Sequence, residues 1–365
     1  MSDKEATILG LIKRDPFISQ NELAERTGLS RSAVAGYISS LTKQGKLLGR
    51  AYVLPNKKQV ICIGGANVDR KMQAIDKLQL GTSNPASTSN SCGGVARNIA
   101  ENLGRLGLDV SLMTVVGDDH EGKWLLDYTR SYVDIEPSKI LPNEATGTYT
   151  AVLDVDGEMV VALADMGIYD RVDLEFVEKR WGFLASTELV MIDTNFPSDV
   201  LAKVIDRCRE EAIPLVITPV SAPKIKKLPQ NLDGVAWLIA NKDEAEALAG
   251  KPIKDEGDFF KAAEAIMKKG VERVVISRGD KGLIYFTKAN EAGVLLPPKV
   301  DVVDVTGAGD ALVAGIVYAY LRELKTEDAC KIGMACSMLT LATEETVNPS
   351  LNHQQLQEAF QHNFH

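Results

Sequence analysis

The chain has 365 residues, 45% of them hydrophobic and 25% charged, with a formal net charge of −9. That length suits one large α/β domain plus a small module, in the composition range of soluble globular proteins. The five cysteines are scattered without a C-x-x-C pair, which argues against a disulfide frame or a zinc site and for reduced thiols in a cytoplasmic protein.

The charge is unevenly spread. Residues 1–58 carry ten Lys/Arg against five Asp/Glu, and the remainder carries 31 against 45. A basic head on an acidic body implies two modules with different partners. The N-terminus has early acids and no long apolar segment, so it is not expected to be a secretory signal. The apolar run Ala311 to Leu321 is too short to span a bilayer.

In chain order, residues 4–14 show the apolar spacing of a short amphipathic helix. Ser19 can cap a second helix ending near Arg26, Gly28 makes a turn, and Ser30 caps a third helix whose Val34, Ile38 and Leu41 share a face. Gly45 ends it, and Lys46 to Leu54 reads as a two-stranded wing. This pattern resembles the winged helix-turn-helix domains of bacterial regulators. It places a DNA-binding domain at 1–55 and a linker at Pro55 to Lys58. Arg31 near the start of the recognition helix, with Lys43, Lys46 and Arg50 at its end and in the wing, suits phosphate contacts on duplex DNA. The plainer alternative is a module for protein contacts or dimerisation.

From Gln59 the texture changes. "VICIGGANVD" reads as a strand ending in glycines, "GGVARNIAENLGRLG" as a helix and "VSLMTVVG" as a strand. "TYTAVLDVDGEMVVALAD" reads as a hairpin turning at Asp156-Gly157. Helical and strand patterns then alternate to the end. Repeated βαβ signals imply a mostly parallel sheet covered by helices on both faces. No internal repeat and no low-complexity segment is present.

"DVVDVTGAGDALVAG", residues 301–315, reads as a valine-rich buried strand that turns through two glycines into a core helix. Such a turn lets backbone approach a ligand, and the helix N-terminus offers unpaired N–H groups to an anion. Asp310, in the first helical turn, is placed to take a proton from an attacking hydroxyl. The plain alternative is a tight turn with Asp310 as a cap. Asn241 and Glu244 open a helix after "VAWLIA", as water-mediated Mg²⁺ organisers or as an N-cap with an acidic first turn. Ser277 to Gly282 is a strand-ending glycine loop, along a nucleotide or as a simple hairpin turn.

Together "GGVARN" at 93–98, "DVTGAGD" at 304–310 and Asn-x-x-Glu at 241–244 resemble the ribokinase (phosphofructokinase-B type) family of carbohydrate and nucleoside kinases. The resemblance covers roughly residues 59 to 362. It implies, for 59–365, a ribokinase-like three-layer αβα fold with a mostly parallel sheet. It also implies a small β-lid from about 71–92 and 148–164, and lids that pair two subunits into a homodimer. It implies ATP and Mg²⁺ as cofactors, Asp310 as general base, and the amides of Gly307, Ala308 and Gly309 as anion hole. Asn241 and Glu244 would serve the metal, and Ser277, Gly279, Gly282 and Thr306 the ATP site, with Asn241. Asn67, Asp69, Gly93, Gly94 and Asn98 match the family's sugar-hydroxyl pocket. Asp304 matches the position holding a monovalent cation, K⁺, in ribokinases, with Ser350 as a distant further ligand. Dependence on that cation varies across the family.

A narrower resemblance, in "TSNPASTSNSCGGVARN", "DGEMVVALADMGIYD", "MIDTNF" and "TPVSAPK", is to bacterial pseudouridine kinases. It implies Ser83, Asn84, Asp165 and Met166 as nucleoside contacts, although a methionine is more often core packing. Other sugars and nucleosides stay open as substrates. "GDDHEGKW" has the Walker-A spacing, but Trp124 cannot ligate Mg²⁺ and three acids would repel a phosphate. The four histidines show no metal spacing. Two functions follow: a nucleoside kinase with a DNA-binding head, or a transcription regulator whose kinase-like body only senses a ligand. The intact Asp310, glycines and Asn241/Glu244 favour the enzyme.

Overall fold

The computed structural model describes residues 2–48 and 60–364. Three helices form the head: α1 (Asp3–Arg14), α2 (Gln20–Thr27) and α3 (Arg31–Lys43). Ser2 and Ser19 each close a capping box with the glutamate three residues on, and Ser30 caps α3 through Ala33 N–H. Gly28 ends α2 in the left-handed region at φ 66°, which sets the turn between the two helices. Ile8, Ile12, Leu23, Val34 and Leu41 are fully buried between the helices. Arg50, most of the expected wing and the linker lie outside the described residues.

The body follows: β1 (Val60–Ile63), β2 (Asn67–Ala74), β3 (Ala86–Gly93), α4 (Val95–Arg105), β4 (Val110–Met113), β5 (Val115–Gly117), α5 (His120–Thr129), β6 (Lys139–Leu141), β7 (Thr148–Leu153), β8 (Met159–Asp165), α6 (Leu174–Leu184), β9 (Leu189–Asp193), α7 (Ser198–Glu210), β10 (Leu215–Thr218), β11 (Val235–Asn241), α8 (Lys242–Ala249), α9 (Glu256–Met267), β12 (Arg273–Ser277), β13 (Leu283–Thr287), β14 (Ala292–Leu295), α10 (Ala308–Tyr320), α11 (Thr326–Leu341) and α12 (His353–Phe364). Eight strands form one sheet in the order β14-β13-β12-β11-β10-β9-β1-β4, parallel except at the β12–β13 and β13–β14 hairpins. The central strands are apolar throughout because both faces are covered. In β1, Val60 and Cys62 enter the core under α4, α10 and α11, while Ile61 and Ile63 enter the core under α6 to α9. All five cysteines are free and buried.

The second sheet, β3-β2-β7-β8, is a thin lid, with β2 and β7 parallel and hairpins at either side. Gly157 turns the β7–β8 hairpin at φ 84°, as read from the sequence. "VICIGGANVD" is two strands, because Gly64-Gly65 hands the chain from the main sheet to the lid. "VSLMTVVG" likewise divides at Thr114 into β4 and β5.

The valine run before the glycine turn departs from expectation. Residues 301–305 form no strand, and Val302, Val303 and Val305 are 55%, 56% and 71% exposed. No described strand takes this segment as a partner, and β14 stays the edge of the sheet. Among the described residues, its one N–H paired with backbone is that of Val303, to Leu341 O.

Candidate active site

The glycine turn delivers α10. Gly307 is its N-cap, in the left-handed region at φ 79°, and a Cβ there would lie 1.8 Å from Thr346 O. Only glycine fits both the angle and the approach. Gly309, by contrast, faces open space, with no other protein atom within 4 Å of a would-be Cβ. The N–H groups of Gly309 and Asp310, in the first turn, therefore open onto a clear volume at the positive end of a 13-residue helix, while that of Ala308 bonds Val305 O at 3.4 Å.

Asp310 stands at the edge of that volume, half-buried. Its Oδ2 accepts a 2.7 Å hydrogen bond from Asn98 Nδ2. The asparagine cannot present its oxygen instead, because Asn98 Oδ1 is held by Arg97 Nη2 at 2.8 Å and Nε at 3.2 Å. Arg97 is 1% exposed and pairs at 2.8 Å with Glu101, which Arg105 also grips at 2.7 Å. α4 thus carries a buried array, Glu101–Arg97–Asn98, ending on the Asp310 carboxylate. Burial pushes Asp310 up to about 7; Asn98 and Arg97 oppose the rise, and the nearby Asp193 and Asp69 carboxylates add to it. A carboxylate so tuned is a competent proton acceptor near neutral pH.

The double glycine at the start of α4 permits close packing. Gly94 adopts φ 100°, and a Cβ there would strike Gly65 O at 2.5 Å; at Gly93 it would strike the Asp69 carboxylate. Asn67 Nδ2 donates to Asp69 Oδ1 at 2.6 Å, and burial raises the Asp69 pKa. Asn67, Asp69, Gly93, Gly94 and Asn98 therefore share one corner, walled by α4 and the first lid strand.

Sequence reasoning passed over the group that fastens this corner. Asp193, at the end of β9 and 0% exposed, accepts from Gly65 N at 2.8 Å, Ala96 N at 3.2 Å, and Asn195 N and Nδ2 at 2.8 and 3.0 Å. It ties β9 to both glycine segments, and burial raises its pKa. Lys224 hydrogen-bonds Asn195 Oδ1 behind it. Tyr169 OH donates to Ala66 O and accepts from Ala66 N, so it braces the same turn. A carboxylate ending the apolar strand "VMID" was the available signal.

At the C-terminal ends of β11 and β12 lies a cavity of about 690 Å³ lined by Asn241, Ser277, Gly279, Phe259 and Arg278 among others. Gly282 closes the β12–β13 turn beside it, its carbonyl accepting from Arg278 N. Asn241 and Glu244 form a reciprocal capping box at 2.9 Å each way. The capping alternative is thus realised, and Asn241 of the pair also borders the cavity. Glu244 is 4% exposed, and burial pushes it up to about 7. A buried carboxylate of raised pKa gains most from a nearby cation. With Asn241 at the cavity wall, such a group would fit a Mg²⁺ ion that keeps its waters. Among the described residues no cluster of three or more His, Cys, Asp or Glu forms a closed metal cage.

Thr306 donates through N–H and hydroxyl to Asp304 Oδ1 at 2.8 and 2.6 Å, and Asp304 Oδ2 meets Lys71 Nζ at 2.6 Å. Ser350 instead bonds Asn348 at 2.8 Å. In the lid, Ser83 and Asn84 lie in the exposed β2–β3 loop, where the Asn84 amide closes the loop on Gln79 and Thr82. Asp165, exposed at the end of β8, lines a separate cavity of about 400 Å³ with Glu144 and Arg171. Met166 packs on the core beside Gly147, as does the Asn67 Cβ. In "GDDHEGKW", Asp119 caps α5 and binds Thr146, a purely structural use. On the head, Arg31 and Lys43 are exposed and Lys46 is half-buried.

Comparison with known proteins agrees with this geometry. Residues 57–353 match the pfkB family of carbohydrate kinases, and residues 1–47 match a winged helix-turn-helix DNA-binding domain. The chain belongs to the pfkB family and is a phosphotransferase with an alcohol acceptor, carrying an N-terminal winged helix-turn-helix domain. It is 31% identical over 353 residues to the uncharacterized sugar kinase YeiI of Escherichia coli, covering 96% of this chain and 97% of that one. It is 34% identical over 297 residues to the pseudouridine kinase of Escherichia coli, covering 81% and 94%. Among solved structures, a carbohydrate kinase from Agrobacterium tumefaciens aligns at TM-score 0.72 and 28% identity, covering 83% of this chain and 97% of that one. Arabidopsis thaliana ribokinase, complexed with ribose and ATP, shares the fold at TM-score 0.73 and 20% identity, covering 83% and 98%.

Proposed function

We propose that the body transfers the γ-phosphoryl group of Mg-ATP to the primary 5′-hydroxyl of a nucleoside, pseudouridine first, and that the head binds duplex DNA. The observation that carries the reading is the Asn98–Asp310 pair at the mouth of the α10 N-terminus. A hydroxyl held at the Asn67–Asp69 corner gives its proton to Asp310 as its oxygen bonds to the γ-phosphorus. The bond from that phosphorus to the β–γ bridging oxygen breaks, and ADP leaves with the bridging oxygen's electron pair. Charge gathering on the transferred group meets the N–H groups of Gly307 to Gly309. Asn241 and Glu244 would hold Mg²⁺, which would supply charge neutralisation on the phosphates. Ser277, Gly279, Gly282 and Thr306 border the ATP, and Ser83, Asn84, Asp165 and Met166 join the nucleoside when the lid closes over it.

Pseudouridine is favoured by the 34% identical relative of that name and by the matched segments around Gly93. A panel of nucleosides and sugars, with ADP release and product mass as readouts, tests it. Turnover of a sugar or another nucleoside with pseudouridine refused would replace the substrate and keep the kinase.

The lid's β8 leaves Met159, Val160, Val161 and Leu163 between 46% and 65% exposed. A thin sheet cannot bury both faces alone, so a second copy is the proposed cover, making a homodimer. A dimeric head also suits a two-half-site DNA target.

A further inference from the structure

β2 alternates its side chains between the two faces of the lid, so Asn67, Asp69 and Lys71 share one face. The first two form the substrate corner, and the row continues toward the glycine turn. There Lys71 Nζ reaches Asp304 Oδ2 at 2.6 Å, across 233 residues of chain. The other carboxylate oxygen is taken twice, by Thr306 N–H and hydroxyl. Arg70, on the opposite face, turns away to Asn90 and Glu121. Asp69 also lies within electrostatic reach of Lys71.

This arrangement does not fit a resident K⁺ at Asp304. A second cation there would lie against an ammonium already in hydrogen-bond contact, with one oxygen committed to Lys71 and the other to Thr306. Ser350, the expected distant ligand, is engaged with Asn348.

We infer that Lys71 is a tethered cation standing in for a free monovalent ion: through Asp304 it fixes the Thr306–Asp310 turn and couples the lid strand to the anion hole. It is a positioning residue, acting through Asp304 and touching no reacting atom. Burial alone would raise the Asp304 pKa, but Lys71 and Thr306 hold it below the usual carboxylate value. The ion pair is 40% and 23% exposed at its two ends, so its loss leaves the fold standing. The inference rests on the phosphotransferase reading but not on which nucleoside is used.

The test compares full-length protein with Lys71→Ala and Asp304→Asn. Each is measured in KCl, NH₄Cl and tetramethylammonium chloride at equal ionic strength. Wild-type kcat is expected to change by less than about twofold between salts, whereas Lys71→Ala loses roughly tenfold or more in kcat with a smaller change in KM for ATP. K⁺ or NH₄⁺, which approximate the lost ammonium in size and charge, restore most of that loss; Asp304→Asn is not restored. In nucleotide-free protein, both ions raise the melting temperature of Lys71→Ala but not of wild type. This arm needs no acceptor, so it decides the matter even if every nucleoside tried is refused. Strong K⁺ dependence of the wild type overturns the inference. So does an unimpaired Lys71→Ala, or an impaired one that answers to neither ion in turnover or melting.

Discussion

Asn98 and Asp310, 212 residues apart, meet at 2.7 Å, and the direction of that hydrogen bond is set from behind by Arg97. The proposed base is therefore an assembly of α4 and α10: α10 supplies the carboxylate, α4 the donor that stabilises its charged form.

Asp310→Asn is expected to lower kcat by about 10² to 10⁴ while leaving the KM for ATP nearly unchanged. In wild type, kcat/KM for the acceptor falls below pH about 7, where the carboxylate takes up its proton. Stability runs the other way. A folded pKa raised above the unfolded value stabilises at low pH, and that contribution is lost as pH rises from near 4 through about 7. The melting temperature of Asp310→Asn relative to wild type is thus higher at pH 8 than at pH 5. A gap that is constant with pH contradicts the assignment.

Arg97→Met frees the Asn98 amide to turn and removes a positive charge from the neighbourhood of Asp310. Both effects favour the protonated acid, so the acid limb of kcat/KM moves to higher pH. Arg105 still pairs with Glu101 at 2.7 Å, which keeps that carboxylate from being stranded. A pH–rate profile superimposable on wild type refutes the positioning role.

Two glycines of the turn are expected to behave differently. Gly307→Ala adds about 1–2 kcal/mol of left-handed strain and a collision with Thr346 O, so both melting temperature and kcat fall. Gly309→Ala meets no protein atom within 4 Å. It melts like wild type yet loses activity, because its methyl enters the space kept for the phosphoryl group. Full activity in Gly309→Ala excludes that use of the space.

For the head, Arg31→Ala combined with Lys43→Ala is expected to weaken duplex binding and to make its salt dependence shallower, by about one unit of log–log slope for each DNA phosphate the variant no longer neutralises. Phosphorylation stays unchanged, since neither residue lies in the kinase motifs. Protein lacking residues 1–58 that still binds duplex as tightly as the full chain would remove DNA binding from the head.

At the lid, Leu163→Asp places a charge on the exposed apolar face and is expected to convert dimer to monomer in sedimentation at micromolar concentration. A wild-type protein that already sediments as a monomer rules out the pairing.

The sequence by itself determined the parts whose causes are local. Ser19, Gly28 and Ser30 fix the head's helices because caps and left-handed turns are decided by neighbours a few residues away. The glycines at 93–94 and 307–309 marked close backbone approach, and Asp310 was legible because it stands in the first turn of a helix that such a turn opens. Tertiary structure decided what depends on distant chain. The valines at 301–305 have strand propensity, but no described strand pairs with them, and they lie exposed. Asn84 and Asp165 carry polar groups whose partners no spacing reveals: one closes a loop and one lines a separate cavity. Asp193 matters because β9 happens to end between two glycine segments, and Lys71 because lid alternation points it at Asp304. Meetings between such distant parts of the chain are set by sheet order and packing, and a linear pattern records only which side chains are available to make them.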